Sequence, residues 1–227
     1  MLSSTAHSVA SAIPIETFIP LDPFDIIIHH IGLVPNEQHY EKDSQIYGED
    51  GPADYVYQVV SGAVRSYKLL SDGRCQITAF HLTGDVFGID CGAIRRMAAD
   101  AIVDTTVRRV KRRSLEQAAA TDMFVGRSLW NMARRNLEHA EDHLLLLGRK
   151  TAVERVAAFL LEMDRRLTGT GMLPLPMCRR DIGDYLGLTL ETVSRALSQF
   201  HEQGILDFSG ARHIVLRNRA LLRNMEI

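Results

Sequence analysis

The sequence predicts an α+β chain in which a β-rich first half, a long helix and a pair of shorter helices follow one another. Three observations predict this order: β-branched and aromatic runs with turns over 45–110, apolar residues at helical spacing over 115–147, and a helix, tight turn and helix over 178–200. The predicted units are an N-terminal tail 1–20, a β domain 21–114, a helix 115–147 and a C-terminal domain 148–227.

Composition and cysteine usage are those of an ordinary soluble protein. The 227 residues are 46% hydrophobic and 24% charged, which allows a packed core. No apolar run is long enough to cross a bilayer, and residues 1–14 lack the features of a signal peptide. Cys75, Cys91 and Cys178 are odd in number and widely spaced. We therefore expect reduced thiols, a cytoplasmic location and no membrane partner.

The β domain is predicted from short alternating runs separated by turns. Residues 55–60 form one run, Ser61-Gly62 breaks it, 63–70 resumes it, and 71–73 turns into 75–82. Strands this short with turns this close favour an antiparallel sandwich, barrel or roll.

One face of the predicted helix 115–147 carries an apolar seam. Its residues recur at alternating spacings of three and four, as the a and d positions of a coiled coil do. The seam consists of Trp130, Ala133, Leu137, Ala140, Leu144 and Leu147. From this spacing alone, packing on the chain's own domain and dimerisation with a second copy are equally open.

Residues 178–200 have the pattern of a helix-turn-helix. Gly187 supplies the positive φ that ends the first helix, and Thr189 is placed to cap the second. The apolar residues that face inward at helical spacing are Ile182, Leu186, Val193, Leu197 and Phe200.

The outward face of the second helix carries Glu191, Ser194 and Arg195. An arginine donates two hydrogen bonds to guanine, a carboxylate accepts from cytosine N4, and a hydroxyl can serve either base. A helical hairpin with a charged solvent face is the competing interpretation. The motif predicts that these three residues contact bases of double-stranded DNA.

Residues 204–216 are predicted as two short strands joined at Ser209-Gly210, which is the pattern of a wing. The charge distribution fits a phosphate-facing C-terminal domain, because residues 148–227 hold 12 Lys and Arg against 9 Asp and Glu, whereas residues 1–147 hold 14 against 19. A solvated turn is the alternative for Arg212. The predicted phosphate contacts are Cys178, Arg179, Arg180, Thr189, Thr192 and Arg212.

From about Asp43 the chain resembles the CRP/FNR family of bacterial regulators. The resemblance rests on RRDIGDYLGLTLETVSR, residues 179–195, which is similar to the FNR and FixK branch, and on the landmarks 55–64 and 84–88. It implies a cyclic-nucleotide-binding-like β-roll, a long dimerisation helix and a C-terminal winged helix-turn-helix. It also implies a homodimeric activator that works with RNA polymerase and reads a TTGA-like inverted repeat.

Departures from the family's patterns bear on cofactors. No cysteine precedes Cys75, so the four thiolates of an iron–sulfur cluster cannot be assembled. Ile89 stands where cyclic-nucleotide binders have Glu, and Met97-Ala98 where they have Arg-Ser, so a cyclic phosphate would lack its charge partner. Residue 77 is Ile, which leaves the haem-binding pattern incomplete. Cys75 and Cys91 fit packing positions in the sheet.

With these sensors absent, the resemblance implies a FixK-type regulator that is active without a cofactor. Relatives of this kind control genes for microaerobic or anaerobic respiration and nitrogen fixation. A regulator of the same fold gated by a small ligand is the alternative. An enzyme is not expected, because the sequence has no metal-spaced histidines, phosphate loop or nucleophile elbow.

Cys178 is a further departure, because FNR-branch relatives commonly have Thr or Ser there. At a helix N-terminus and followed by Arg179 and Arg180, its thiol is expected to have a lowered pKa and to react with peroxide. Oxidation to a sulfinic or sulfonic acid would place a negative charge where the phosphate backbone approaches. The sequence thus predicts oxidative inactivation at Cys178, with a neutral substitution as the alternative.

Overall fold

The computed structural model describes residues 23–90, 92–210 and 212–225. The predicted N-terminal tail 1–20 and the cysteine at position 91 lie outside these described residues. Within them, no helix combines the length and the apolar character that crossing a bilayer requires.

The first unit is a short helix followed by antiparallel strands. These elements are α1 Pro23–His30, β1 Asn36–Tyr40, β2 Gln45–Tyr47, β3 Tyr55–Ser61, β4 Ala63–Leu69, β5 Cys75–Leu82, β6 Val86–Phe87, β7 Ala98–Ala101 and β8 Thr105–Lys111. The strands form one sheet in the order β1-β8-β3-β6 and another in the order β2-β7-β4-β5. The antiparallel β domain that the sequence predicts is confirmed.

The predicted turns lie where the strands end. Gly62 links β3 to β4 with a φ of +93°, and a Cβ atom at this position would lie 2.5 Å from Thr105 Oγ1. Only glycine fits such a position, which explains the sharp break in the pattern. β1 was not predicted, because its residues NEQHY are mostly polar and pair only with β8 at the edge of the sheet.

The prediction of one continuous helix over 115–147 is wrong. The chain forms two helices here, α2 Arg112–Thr121 and α3 Met123–Arg149. Asp122, between them, is extended, with φ −120° and ψ 113°. Its carboxylate accepts hydrogen bonds from the backbone N–H groups of Phe124 at 2.8 Å and Val125 at 3.2 Å. An aspartate that caps in this way starts a new helix. No proline or glycine marks the break in the sequence at this point.

The C-terminal unit contains the predicted helix-turn-helix and wing. Its elements are α4 Ala152–Leu167, β9 Met172–Pro174, α5 Arg179–Leu186, α6 Leu190–Glu202, β10 Leu206–Phe208, β11 His213–Leu216 and α7 Arg219–Asn224. The predicted hairpin over 204–216 is confirmed. β9, which was not predicted, pairs with β11, with Leu173 opposite Ile214, and completes a three-stranded sheet.

The roll and the C-terminal unit share a continuous apolar core. Phe80 of β5 lies 5.1 Å from the ring of Tyr185 in α5 and 6.3 Å from the ring of Phe159 in α4. Arg65 of β4 donates to Asp181 of α5 at 2.7 Å, and its other nitrogen donates to Asp100 at 3.1 Å. These contacts hold the first helix of the helix-turn-helix against the roll.

Candidate nucleic-acid interface

The turn between α5 and α6 is fixed by local chemistry. Gly187 ends α5 with a φ of +63°, and the Thr189 hydroxyl accepts a hydrogen bond from the Thr192 N–H at 3.2 Å. Both roles were predicted from the sequence and are confirmed. Gly183 has a role that was not predicted, because a Cβ atom there would lie 2.7 Å from the Leu188 carbonyl oxygen. A side chain at position 183 would therefore force the two helices apart.

The apolar residues predicted to face inward are buried, so α6 presents one fixed face to solvent. Glu191 and Arg195 on that face are exposed, and Ser194 is half-buried. The pKa of the Glu191 carboxyl is held below its ordinary value by its own backbone N–H and by the Thr189 hydroxyl. Near neutral pH this side chain is an acceptor, as a contact with cytosine N4 requires.

Arg179 connects α5, α6 and the wing. Its Nη1 donates to Ser194 Oγ at 3.3 Å, and its guanidinium carbon lies 5.4 Å from the centre of the Phe208 ring. Arg179, which is predicted to contact phosphate, is thus hydrogen-bonded to Ser194, which is predicted to contact a base. Arg180, its neighbour, is exposed, and its side chain makes no hydrogen bond to any other described residue.

The remaining residues predicted to contact phosphate differ in their availability. The Thr189 and Thr192 hydroxyls lie 3.1 Å apart at the start of α6. Arg212 is half-buried and donates to the Pro176 carbonyl oxygen at 3.1 Å, so part of its guanidinium holds the wing against the segment between β9 and α5.

Cys178 has surroundings different from those expected from the sequence. Burial raises the pKa of its thiol, and the hydrogen bond with the Asp181 carboxylate raises it further. Asp181 also accepts from the Cys178 backbone N–H at 2.9 Å, whereas the neighbouring Arg179 is directed to Ser194. The lowered pKa expected from the sequence is therefore wrong. An acidic residue three positions after a helix cap was the signal that could have shown it.

The seam lies on the outer face of α3, away from the chain's own core. Trp130 is 71% exposed, Leu137 59% and Leu144 70%, and both alanines of the seam are exposed, while Leu147 is half-buried. The face that α3 buries on its own chain is a different one and contains Val125 and Met132. Packing of the seam on the chain's own domain is thus excluded except at Leu147.

The seam begins one heptad earlier than the sequence analysis placed it. Met123 lies seven residues before Trp130 and is 78% exposed. Large residues therefore occupy every seventh position from 123 to 144, and the alternate positions carry Gly126, Ala133 and Ala140.

The roll contains a cavity of about 450 Å³ that opens between β5, the loop after β6 and α3. Arg166, which lines the cavity, donates to Asp85 at 2.6 Å. Burial lowers the pKa of His81, which lines the cavity, to about 4, so the ring is neutral near pH 7. Arg135 of α3 also reaches the rim and is exposed.

Arg95, which lies against Gly88 in the turn after β6, is only 1% exposed. It donates to the Gly88 carbonyl oxygen and to Asp90, each at 2.7 Å, and stacks 4.1 Å from the centre of the Tyr47 ring. Its charge is thus neutralised inside the wall of the roll. In the described part of the chain no group of His, Cys, Asp and Glu side chains is arranged to bind a metal ion.

Comparison with known proteins matches both units to established domains. Residues 154–225 match the Crp-like helix-turn-helix domain, and residues 37–122 match the cyclic nucleotide-binding domain. These matches agree with the predicted winged helix-turn-helix and with the predicted cyclic-nucleotide-binding-like roll.

Curated relatives and a solved structure cover most of the chain. The nitrogen fixation regulation protein FixK of Azorhizobium caulinodans is 45% identical over 192 residues, which are 82% of this chain and 77% of the relative. The protein of the same name from Rhizobium meliloti is 39% identical over 208 residues, which are 89% of this chain and 95% of the relative. The structure of FixK2 from Bradyrhizobium japonicum is 71% identical, with a TM-score of 0.84 over 86% of this chain and 98% of that chain.

Proposed function

The chain belongs to the CRP/FNR family of transcription regulators and is of the FixK type, and on this premise we propose that it is a dimeric, sequence-specific DNA-binding activator. It reads a TTGA-like inverted repeat through Glu191, Ser194 and Arg195. This proposal rests on the outward face of α6, which begins at the turn capped by Thr189 and presents a carboxylate, a hydroxyl and a guanidinium. These are the donors and acceptors that the major groove distinguishes.

The dimer forms through the seam of α3. The side chains of Trp130, Leu137 and Leu144 are 59–71% exposed. An apolar face of this kind is unfavourable in water and can be buried against the same face of a second copy related by a two-fold axis. Small residues at Ala133 and Ala140 would let the two helices approach closely. A symmetric dimer presents two copies of α6 to two half-sites of a palindrome.

DNA phosphates bind around the helix-turn-helix. Arg180, which is exposed, supplies charge without sequence preference, and Thr189 and Thr192 lie at the positive end of α6. Arg179 and Arg212 contact phosphate with the donors that their internal hydrogen bonds leave free. The Cys178 position lies at the corresponding end of α5.

The regulator is active without a cofactor. Arg166, which lines the roll cavity, is already paired with Asp85, and Arg95, which is buried in the wall of the roll, is paired with Asp90, so a cyclic phosphate would find neither of them free. The alternative, a small ligand that gates the same protein, is favoured by the cavity itself and by exposed Arg135 at its rim.

DNA binding by purified protein, with no ligand added, distinguishes these two functions. We expect tight binding to a TTGA palindrome and weak binding to a scrambled duplex of equal length at the same salt concentration. Metal analysis and a visible spectrum of anaerobically purified protein should show neither stoichiometric iron nor haem. Binding that requires an added small molecule would instead establish the gated alternative.

The genes it controls follow from its relatives. By similarity to the nitrogen fixation regulation proteins FixK, the chain activates genes of nitrogen fixation and of microaerobic or anaerobic respiration in the cytoplasm, in contact with RNA polymerase. A footprint at one bound promoter, combined with transcription in vitro, tests this step. A footprint immediately upstream of the polymerase site, with more transcript, is expected. A footprint over the start site with less transcript would indicate repression.

Oxidation of Cys178 prevents DNA binding because of the acidic group that it produces. A sulfinate or sulfonate at the start of α5 adds negative charge and bulk next to Asp181 and near the phosphates. Because the thiol pKa is raised, this reaction is slow at neutral pH, in contrast to that of an activated cysteine.

A further inference from the structure

Arg155 bridges the hinge between the seam helix and the helix-turn-helix. It lies in the first turn of α4, just after the segment 150–151 that links α3 to the C-terminal unit. Its Nη2 donates to the Leu147 carbonyl oxygen at 2.8 Å and its Nε to the Lys150 carbonyl oxygen at 2.9 Å. Its Nη1 donates to the Leu186 carbonyl oxygen at 3.0 Å. One guanidinium thus joins the end of α3 to the end of α5.

The three carbonyl groups need such a donor. The last carbonyls of a helix have no N–H partner within that helix, and they carry the negative end of its dipole. α3 ends at Arg149 and α5 ends at Leu186, so Arg155 satisfies the free ends of two helices together. A planar guanidinium can donate in three directions, which an ammonium group on a flexible stem cannot do with the same geometry.

Apolar contacts support the same junction. A Cβ atom at Gly187, in the turn before α6, would lie 3.7 Å from Leu147 Cδ2 and 3.6 Å from Arg155 Nη1. His143 of α3 stacks on Tyr185 of α5 with 4.1 Å between ring centres. The last residue of the seam therefore lies directly against the turn that positions the recognition helix α6.

Other contacts hold the helix-turn-helix without touching α3. Arg65 binds Asp181, and Gln76 donates to the Asp184 carbonyl oxygen at 2.9 Å. Both of these side chains belong to the roll, whereas Arg155 acts on the helix that carries the dimer seam.

We propose that Arg155 is a positioning residue that sets the distance and angle between the two recognition helices of the dimer, and therefore the half-site spacing that the protein accepts. This inference rests on the proposed function, because it requires two half-sites and a dimer along α3. One base pair of spacing moves a half-site by about 3.4 Å and rotates it by about 35°. A rigid junction rejects that change, whereas a loosened junction tolerates it.

The test measures binding of the full-length chain to duplexes by fluorescence anisotropy. The duplexes carry a TTGA inverted repeat at the preferred spacing, the same repeat with one base pair inserted or deleted, or a single half-site. The variants are Arg155→Met, which keeps the side-chain length without donors, and Arg155→Lys, which keeps the charge. Arg149→Met is the matched control, because exposed Arg149 flanks the same hinge and its side chain makes no hydrogen bond in the described part of the chain.

We expect Arg155→Met to bind the preferred repeat about tenfold more weakly, with half-site affinity changed by less than about twofold. Its preference for one spacing should largely disappear, and Arg155→Lys should lie between this variant and the wild type. Arg149→Met should weaken all duplexes by a similar factor, since it removes only a general attraction to phosphate.

An Arg155→Met protein that keeps the wild-type spacing preference, or that loses half-site and palindrome binding equally, overturns the inference. If that variant does not fold, the spacing preference of Arg155→Lys decides the matter, and an unchanged preference refutes the positioning role. A wild type that binds the repeat no better than a single half-site overturns the proposed function itself, and the inference with it.

Discussion

At the scale of single residues, Arg195 is the side chain whose loss should change sequence preference most. It is exposed on α6, one position after Ser194. Arg195→Ala should weaken binding to a TTGA palindrome by about 1–3 kcal/mol and relax the preference at the guanine, because the bidentate contact is lost. Competition assays with guanine-substituted duplexes measure both effects.

Arg180→Ala is the matched control for this change. Its side chain is also exposed and cationic, but it lies on α5. Its loss should weaken all duplexes alike and reduce the dependence of affinity on salt. Arg195→Ala with unchanged affinity and unchanged base preference would contradict the assignment of base contacts to this face.

A second prediction at this scale concerns the pH dependence of oxidation at Cys178. The thiolate is the form that reacts, and its fraction increases as the pH rises towards the thiol pKa. Because burial and Asp181 raise that pKa, inactivation by peroxide should be slow at pH 7 and should still accelerate above the ordinary thiol pKa of about 8.5. Residual DNA binding after timed peroxide exposure at several pH values measures the rate.

The Cys178→Ser variant serves as the control for oxidation. It should bind DNA normally and resist peroxide at every pH, whereas Cys178→Asp should bind weakly even when reduced, because it carries the charge of the oxidised form. Loss of activity in Cys178→Ser at the rate of the parent chain would remove Cys178 as the oxidised residue.

The candidate base-contacting face could be predicted from the sequence because local rules govern it. Gly187, Thr189 and the spacing of Val193, Leu197 and Phe200 fix the turn and the outward face without help from distant residues. The pKa of Cys178 could not be read in this way from Arg179 and Arg180. Its surroundings depend on Asp181, which Arg65 of the roll holds in place at 2.7 Å.

At the scale of one element, α3 should dimerise through its seam. Leu137→Lys combined with Leu144→Lys places charges on a face that a partner must bury, so the dimer should dissociate and binding to the palindrome should fall sharply. Sedimentation velocity and anisotropy measure the two effects. Leu145→Lys is the control, because Leu145 is 62% exposed but lies off the seam. A dimer that survives the double change would contradict this role of the seam.

The helical period was sufficient to find this seam but not the boundaries of the helix. Periodicity continues through residues 115–121, so it gives no sign that α2 ends at Thr121. The break depends on the capping geometry of Asp122, to which His30 of α1 donates at 2.7 Å. Since α1 lies 92 residues earlier in the chain, that contact belongs to the folded chain and not to the local pattern.

At the scale of the whole molecule, Glu162 lies where the roll, α3 and the DNA-binding unit meet. Its carboxylate accepts from His139 of α3 and from Arg166, each at 2.9 Å, and Tyr185 of α5 donates to it at 3.5 Å. Arg166 also donates to the Phe80 carbonyl oxygen of the roll at 2.7 Å. One half-buried carboxylate thus organises contacts among three parts of the fold that are distant in sequence.

Burial raises the pKa of the Glu162 carboxyl, but His139 and Arg166 outweigh burial and hold the pKa below its ordinary value. The ionised form is therefore stabilised in the folded chain. Its contribution is present at neutral pH and is lost as the pH falls below the unfolded value of about 4.3 and through the folded pKa.

Glu162→Gln should lower the free energy of unfolding by about 1–3 kcal/mol at pH 7, because the charge-assisted hydrogen bonds are lost. It should also reduce the loss of stability that the wild type shows on acidification below about pH 4.3. Urea denaturation between pH 7 and pH 3 measures both effects. Glu138→Gln is the control, because Glu138 forms an exposed pair with Arg134 on α3, and such pairs contribute little. Parallel pH profiles for wild type and Glu162→Gln would show that the acid sensitivity arises elsewhere in the fold.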